Sequence, residues 1–276
     1  MNTEGNTIFI PGGTRGIGLA LALRLQARGN TVIVGGRSTE ALDALAADHG
    51  LAGVRIDTDD AESIRTASAE VIERFPDVNV LVPMAGIMRA ENWRTPDFLA
   101  DAEAVVTTNV LGPIRLIAAF INHLQSRPDA TILTVSSGLA HAPLRVTPTY
   151  NASKAAIHML SESIRLQFAG TSVSVTELVP PSVRTTLMPG HDEDPHAMPL
   201  DEYADETMSL LQAQPDAHEI LVERVKFLRY GEARGDYGQV VDALNASEPI
   251  AAATPTAPDA SSVTSATPPP SAASMR

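Results

Sequence analysis

From Thr7 to Val82 the chain alternates between short β-branched or aromatic runs and longer alanine- and leucine-rich stretches. Thr7–Pro11, Thr31–Gly35, Gly53–Asp57 and Val78–Val82 read as strands. Ile17–Arg28, Thr39–His49 and Ala61–Phe75 carry apolar residues at helical spacing between them. The strand runs are apolar throughout, the pattern of strands covered on both faces. Short buried strands joined by helices make parallel βαβ units. The expectation is therefore an α/β fold with a doubly wound parallel sheet. The alternation continues with helices over Pro96–Thr108, Val110–Leu124 and Ser153–Phe168. Further strands are expected over Thr131–Val135, Ser172–Val179 and Glu219–Val222.

Residues 1–248 are expected to form a single domain. From Pro249 to Arg276 the chain is almost entirely Ala, Ser, Thr and Pro. Such a segment cannot bury enough apolar surface to offset its ordering entropy, so a disordered tail over 249–276 is expected. Docking of that tail on a partner subunit is the alternative.

The chain has no cysteine, which excludes disulfides, thiolate catalysis and cysteine zinc sites. A formal net charge of −13 repels phosphate backbones and anionic lipid, so no nucleic-acid or membrane partner is expected. Met1–Thr7 has neither a basic cluster nor a long apolar run, and no apolar run approaches membrane-spanning length. A cytoplasmic protein is expected.

Gly12-Gly13-Thr14-Arg15-Gly16-Ile17-Gly18 lies between the first strand and the first helix. Bare backbone at such a turn lets a pyrophosphate approach the free N–H groups of a helix N-terminus. The G-x-x-x-G-x-G spacing differs from G-x-G-x-x-G, and an ordinary tight turn is the bland reading. The second strand ends in Gly35-Gly36-Arg37-Ser38, without the acidic residue that accepts from a ribose 2′-hydroxyl in NAD binders. Arg37, with Arg15 from the loop, suits a 2′-phosphate through forked, charge-assisted hydrogen bonds. NADP(H) is thus expected in preference to NAD(H). The alternative is that both arginines are solvated surface residues.

Tyr150 and Lys154 are four apart at a helix start and share a face. An ammonium ~5–6 Å from a phenolate, at an effective dielectric of ~20, favours it by ~3 kcal/mol, or ~2 pKa units. That would bring the phenol toward a range useful for proton exchange with a carbonyl or alcohol oxygen. Ser136-Ser137 closes the fifth strand, where the crevice of a doubly wound sheet lies. Ser137 has the better spacing to hold a substrate oxygen, and Ser136 is expected to turn into the core.

Together these features resemble the short-chain dehydrogenase/reductase family, from about Thr7 to about Thr185. The glycine pattern appears as Pro11-Gly12-Gly13-Thr14-Arg15-Gly16-Ile17-Gly18, and Asp57 matches the adenine-contacting Asp. Met84-Ala85-Gly86 stands at the Asn-Ala-Gly motif, and Asn109 matches the helix asparagine. Ser137, Tyr150 and Lys154 complete the set. The resemblance implies a single-domain Rossmann-like fold and an NADP(H)-dependent oxidoreductase acting on a carbonyl or secondary alcohol. Tyr150 is then the general acid/base, and Lys154 binds the nicotinamide ribose and lowers the tyrosine pKa. Ser137 polarises the substrate oxygen, and Asn109 holds a relay water. The implied cofactor-binding residues are Gly12, Thr14, Arg15, Gly16, Ile17, Gly18, Arg37, Asp57, Ala85, Gly86, Tyr150, Lys154, Val183 and Thr185. A homo-oligomer, dimer or tetramer, joined through Val110–Leu124 and Ser153–Phe168 is also implied.

Three departures stand out: Pro11 for the usual threonine, Pro83-Met84 for a double asparagine, and Pro180-Pro181 for Pro-Gly. The Pro-Pro form, with Ser-Ser-Gly-Leu-Ala at the serine strand, looks like the DltE-like branch. Pro181 and Pro83-Met84 keep an alternative open, a catalytically silent NADP(H)-binding regulator or scaffold. His191-Asp192-Glu193-Asp194-Pro195-His196 lacks metal-ligand spacing, so a solvated lid and no metal are expected there. Met188, Met198 and Met208 are read as core filler, with a pocket lining as the alternative. Nothing in the sequence shows His141 or His158 facing the substrate.

Overall fold

The computed structural model describes residues 1–246. The tail expected to be disordered lies outside the described residues. Seven parallel strands form one sheet in the order β3-β2-β1-β4-β5-β6-β7. They are β1 (Thr7–Pro11), β2 (Thr31–Gly36), β3 (Ala52–Arg55), β4 (Val78–Leu81), β5 (Ala130–Val135), β6 (Val173–Leu178) and β7 (Glu219–Ile220). The chain winds outward from β1 in one direction to β3, then from β4 in the other to β7. That reversal opens a crevice at the carboxyl ends of β1 and β4.

Alternate residues of β1 face opposite layers, and both layers are closed. Ile8 and Ile10 join a core with Leu21 and Leu25 of α1 (Gly16–Ala27), and with Ala204, Met208 and Leu211 of α7 (Leu200–Ala213). Phe9 faces the other core, with Ile64 and Val71 of α3 (Ala61–Arg74) and Leu116, Phe120 and Leu124 of α5 (Gly112–Gln125). The Phe9 and Phe120 rings lie 5.5 Å apart. This two-sided burial explains the apolar strand runs. On that evidence Met198 and Met208 are filler in the core, whereas Met188 lines the crevice.

The helix α2 (Thr39–His49) is capped by Ser38, whose Oγ accepts from the Ala41 N–H, and α3 by Asp60, which accepts from the Glu62 N–H. The helix α1 has no side-chain cap and no acidic residue in its first turn. Its first residues, Gly16, Ile17 and Gly18, line the crevice.

One expectation is overturned. The two helices read over Pro96–Thr108 and Val110–Leu124 are a single helical run, Pro96–Gln125, 30 residues long. It comprises a 3-10 turn, α4 (Leu99–Val106), a π turn (Thr107–Leu111) and α5. By length and composition this run is apolar enough to cross a membrane, contrary to the reading that no segment approaches that length. The π turn shifts the residue period, which made the continuous helix look like two. Val105, Leu116, Phe120 and Leu124 are buried in the protein's own cores.

The serine strand leads through a short turn, Gly138–Ala140, to α6 (Pro148–Phe168). After β7 come three short helices, α8 (Lys226–Arg229), α9 (Gly231–Arg234) and α10 (Tyr237–Leu244). These and α7 carry no element expected from the sequence.

Candidate active site

A cleft of about 1350 Å³ runs along the carboxyl edge of the sheet. At one end lie Gly12, Thr14, Arg15, Gly16, Ile17, Gly18, Arg37 and Asp57, and in the middle Ala85 and Gly86. Ser137, Tyr150, Lys154, Val183 and Thr185 line the rest. Of the sequence-derived site residues, only Asn109 does not line it; Asn109 lies one layer behind.

The glycine turn is shaped by close backbone approach. Gly12 has φ +89°, and a Cβ there would lie 2.5 Å from the Ala85 nitrogen. A Cβ on Gly18 would lie 2.5 Å from the Gly12 carbonyl oxygen and 3.0 Å from Gly13 Cα. The Gly12 N–H donates to the Gly35 carbonyl, and the Pro11 carbonyl accepts from the Met84 and Ala85 N–H groups. Pro11 therefore serves as an acceptor only. Thr14 packs on the end of β2, its Cγ2 where a Cβ on Gly36 would sit. Gly18→Ala is expected to lower stability by roughly 1–3 kcal/mol, since the new methyl meets backbone rather than a movable side chain. Thermal melting checks this, and an unchanged melt would show that the turn can widen.

Arg15 and Arg37 are exposed at the cleft wall, and neither forms an ion pair among the described residues. Asp57 is held by its own turn: its N–H donates to Ser63 Oγ, and its Oδ1 accepts from the Asp59 N–H at 3.1 Å. The residues present fit a dinucleotide. An uncapped helix N-terminus, a bare glycine turn and unpaired guanidinium groups share one wall of the cleft.

At the other end, Tyr150 and Lys154 sit in the first turns of α6. The Glu91 carboxylate accepts from the Thr149 N–H at 3.1 Å and from its hydroxyl at 2.9 Å, satisfying the helix start and complementing its dipole. Asn109 sits in the π turn. Its Oδ1 accepts from the Ile87 N–H, and its Nδ2 donates to the Ile87 carbonyl, both at 2.9 Å. Nδ2 also reaches Ser153 Oγ at 3.1 Å, and Ser153 donates to the Tyr150 carbonyl at 2.7 Å. Neither Glu91 nor Ser153 was singled out from the sequence. Their partners are far away in the chain, and no motif marks them.

Lys154 Nζ donates to the Val135 carbonyl at 2.9 Å and lies 5.6 Å from the centre of the Tyr150 ring. Burial lowers Lys154 to about 8, while the Glu177 charge pulls the other way. Burial raises Tyr150 to about 12, with a smaller opposing effect from its contact with Ser137. This corrects the expectation that Lys154 dominates the phenol. Both groups are withdrawn from water, and desolvation penalises the charged form of each. Ser137 lies in the cleft wall, where its Oγ accepts from the Leu139 N–H; Ser136 is fully buried against Leu178.

His141 and His158 do not line the cleft. His158 lies on Glu177, which raises its pKa; burial lowers His141 to about 4. In the expected lid, His191 Nε2 pairs with Ser182 Oγ at 3.0 Å, and the His196 N–H donates to Asp194 Oδ1. The substrate end of the cleft is walled by Met88, Leu139, Leu144, Leu187, Met188 and Phe227.

A doubly wound sheet with a glycine turn at one end of its crevice and a serine, tyrosine and lysine at the other defines a dinucleotide-dependent oxidoreductase. The short chain dehydrogenase family model matches residues 6–196, and the chain belongs to that family. It is 35% identical over 255 residues to the uncharacterized oxidoreductase DltE of Bacillus subtilis, covering 90% of this chain and 100% of that protein. The branch resemblance read from the Pro-Pro and serine motifs agrees with this. A serine 3-dehydrogenase of Rhizobium radiobacter is 33% identical over 176 residues, 63% of this chain and 70% of that one. Among solved structures, a short chain dehydrogenase from Burkholderia cenocepacia in complex with NADP superposes with a TM-score of 0.75 at 26% identity. That match covers 90% of this chain and 100% of the other.

Proposed function

We propose that the protein is an NADP(H)-dependent oxidoreductase that interconverts a carbonyl and a secondary alcohol, with Tyr150 as general acid/base. The observation that carries this reading is the shared cleft, with the Gly12–Gly18 turn at one end and Ser137, Tyr150 and Lys154 at the other. When bound, NADP(H) supplies or accepts the hydride. Tyr150 then gives a proton to the substrate oxygen or takes one from it, and Ser137 orients that oxygen. Lys154 binds the ribose hydroxyls and places positive charge beside the phenol. Asn109 braces the Tyr150 turn through Ser153, in addition to the relay role that the family resemblance implies. A phenol near 12 is protonated at neutral pH, so the resting site is ready to donate. The apolar substrate end suits a carbonyl with hydrocarbon flanks.

The preference for NADP(H) is supported by Arg15 and Arg37 at the cleft wall and by the absence of an acidic residue at the end of β2. The NADP complex of the Burkholderia cenocepacia relative is consistent with it. A charge-assisted hydrogen bond is worth ~1.5–3 kcal/mol, so Arg37→Asp is expected to shift the NADPH-to-NADH preference by roughly 10- to 100-fold toward NADH. Comparing kcat/KM for the two cofactors checks this, and an unchanged ratio would move the 2′-phosphate contact elsewhere. We also propose a cytoplasmic homo-oligomer. Leu99, Val106, Leu111 and Ile114 on α4 to α5, with Met159 and Leu166 on α6, are exposed apolar side chains that a second copy would cover.

The direct test mixes the protein with NADPH and a panel of ketones, aldehydes and quinones while absorbance is followed. Turnover on an apolar carbonyl supports the enzyme reading. Tight NADPH binding with no turnover across the panel would instead establish the regulator or scaffold.

A further inference from the structure

Behind the serine turn, on the side away from the cleft lining, four side chains from four segments converge. His141 follows the Gly138–Ala140 turn, and His158 lies one turn beyond Lys154 on α6. Glu177 is on β6 and Glu219 on β7. One ligand atom from each, an imidazole nitrogen or a carboxylate oxygen, lies within 4.8 Å of all the others. Glu177 is fully buried, and His158 Nδ1 reaches its two oxygens at 2.9 and 3.2 Å. His158 Nδ1 is also 3.8 Å from Glu219 Oε1. The His141 ring meets the His158 ring edge-on, with centroids 4.6 Å apart.

Ordinary pairing satisfies three of the four. Glu177 has His158, and Glu219 has the Arg229 guanidinium at 2.8 and 3.0 Å. His141 is the remainder: its Nε2 is buried and has no hydrogen-bond partner. A buried ring nitrogen left unpaired beside two carboxylates costs stability unless something completes it. We propose that His141, His158, Glu177 and Glu219 form a binding site for a divalent transition cation of the zinc type.

Imidazole nitrogen and carboxylate oxygen are the donor mix that such an ion takes, whereas magnesium and calcium favour all-oxygen sets. Two carboxylates and one guanidinium leave a net negative charge that offsets part of the dication's. Donors around a tetrahedral zinc sit roughly 3.4 Å apart, so a pair at the 4.8 Å limit must draw in by about 1.4 Å, within reach of side-chain torsions. Arg229 binds Glu219 without consuming it, because a carboxylate oxygen retains a second lone pair. The ion would tie the serine turn to α6, β6 and β7. The site stands on this geometry, whatever reaction the cleft performs.

The test uses the full chain freed of metal by chelation, then titrated with zinc chloride or magnesium chloride. Metal content is measured after gel filtration, and thermal melts are recorded. The expected result is one zinc retained per chain with a raised melting temperature, and no retention of magnesium. His141→Phe keeps an aromatic ring but has no donor nitrogen, so zinc affinity should fall by about tenfold or more. A His191→Ala/His196→Ala double variant should bind as the wild type does. X-ray absorption at the zinc edge of the wild type should report two imidazoles, a measurement that does not depend on any variant folding. Absence of retained zinc, full affinity in His141→Phe, or a spectrum without imidazole would overturn the assignment.

Discussion

Replacing Tyr150 by Phe is expected to cut the carbonyl-reduction rate by ~10²–10⁴-fold, the range set by loss of a positioned general acid. NADPH affinity should change little, because the phenol hydroxyl lies at the substrate end of the cleft while the glycine turn and both arginines lie at the other. The variant's stability should stay within about 1 kcal/mol of wild type, since one buried hydroxyl and its contact with Ser137 are all that is removed. The three readouts together separate chemistry from folding. A variant that melts normally, binds NADPH and turns over at wild-type rate would show that the proton comes from another group. Ser137 is the next hydroxyl in the cleft wall, so Ser137→Ala in the same assay identifies the substitute donor if there is one.

The first half of the fold was legible because its strands are buried on both faces and short enough to appear as unbroken apolar runs. Thr7–Pro11 and Thr39–His49 were bounded as they fold, and the other elements through α3 to within a residue or two. The later misreadings share a physical cause: they depend on contacts between residues far apart in the chain. The π turn at Thr107–Leu111 is held by Asn109 reaching across to Ile87, a contact that no local periodicity reveals. Phe227, Leu228, Leu244 and Asn245 reach the cleft from beyond β7, where short helices carry weak patterns. The tyrosine-to-lysine spacing was readable, but the burial that outweighs their mutual attraction was not. Spacing on a helix says which side chains share a face, and only the packed structure says whether water reaches that face.

Lys154→Met should therefore pull activity and stability in opposite directions. The fall of Lys154 from 10.5 to about 8 corresponds to roughly 3 kcal/mol against burying its charge. Methionine fills a similar volume without that charge, but it leaves the Val135 carbonyl without its 2.9 Å donor, a loss of ~1–3 kcal/mol. A net gain of about 1 kcal/mol, a rise of ~2–4 °C in melting temperature, is expected, together with a large loss of turnover. The sign with pH follows from linkage. Below pH 8 both the folded and unfolded chains carry the charge, so the full penalty acts on the wild type alone. Between about pH 8 and 10.5 the unfolded chain holds more protons than the folded one at this group. Wild-type stability at this group then rises with pH, and the advantage of the variant shrinks. Melting both proteins from pH 7 to 10 checks this, because non-specific alkaline destabilisation moves the two curves together. A gap that stays constant or widens with pH would mean that Lys154 is solvated in the folded protein and that desolvation does not govern the pair.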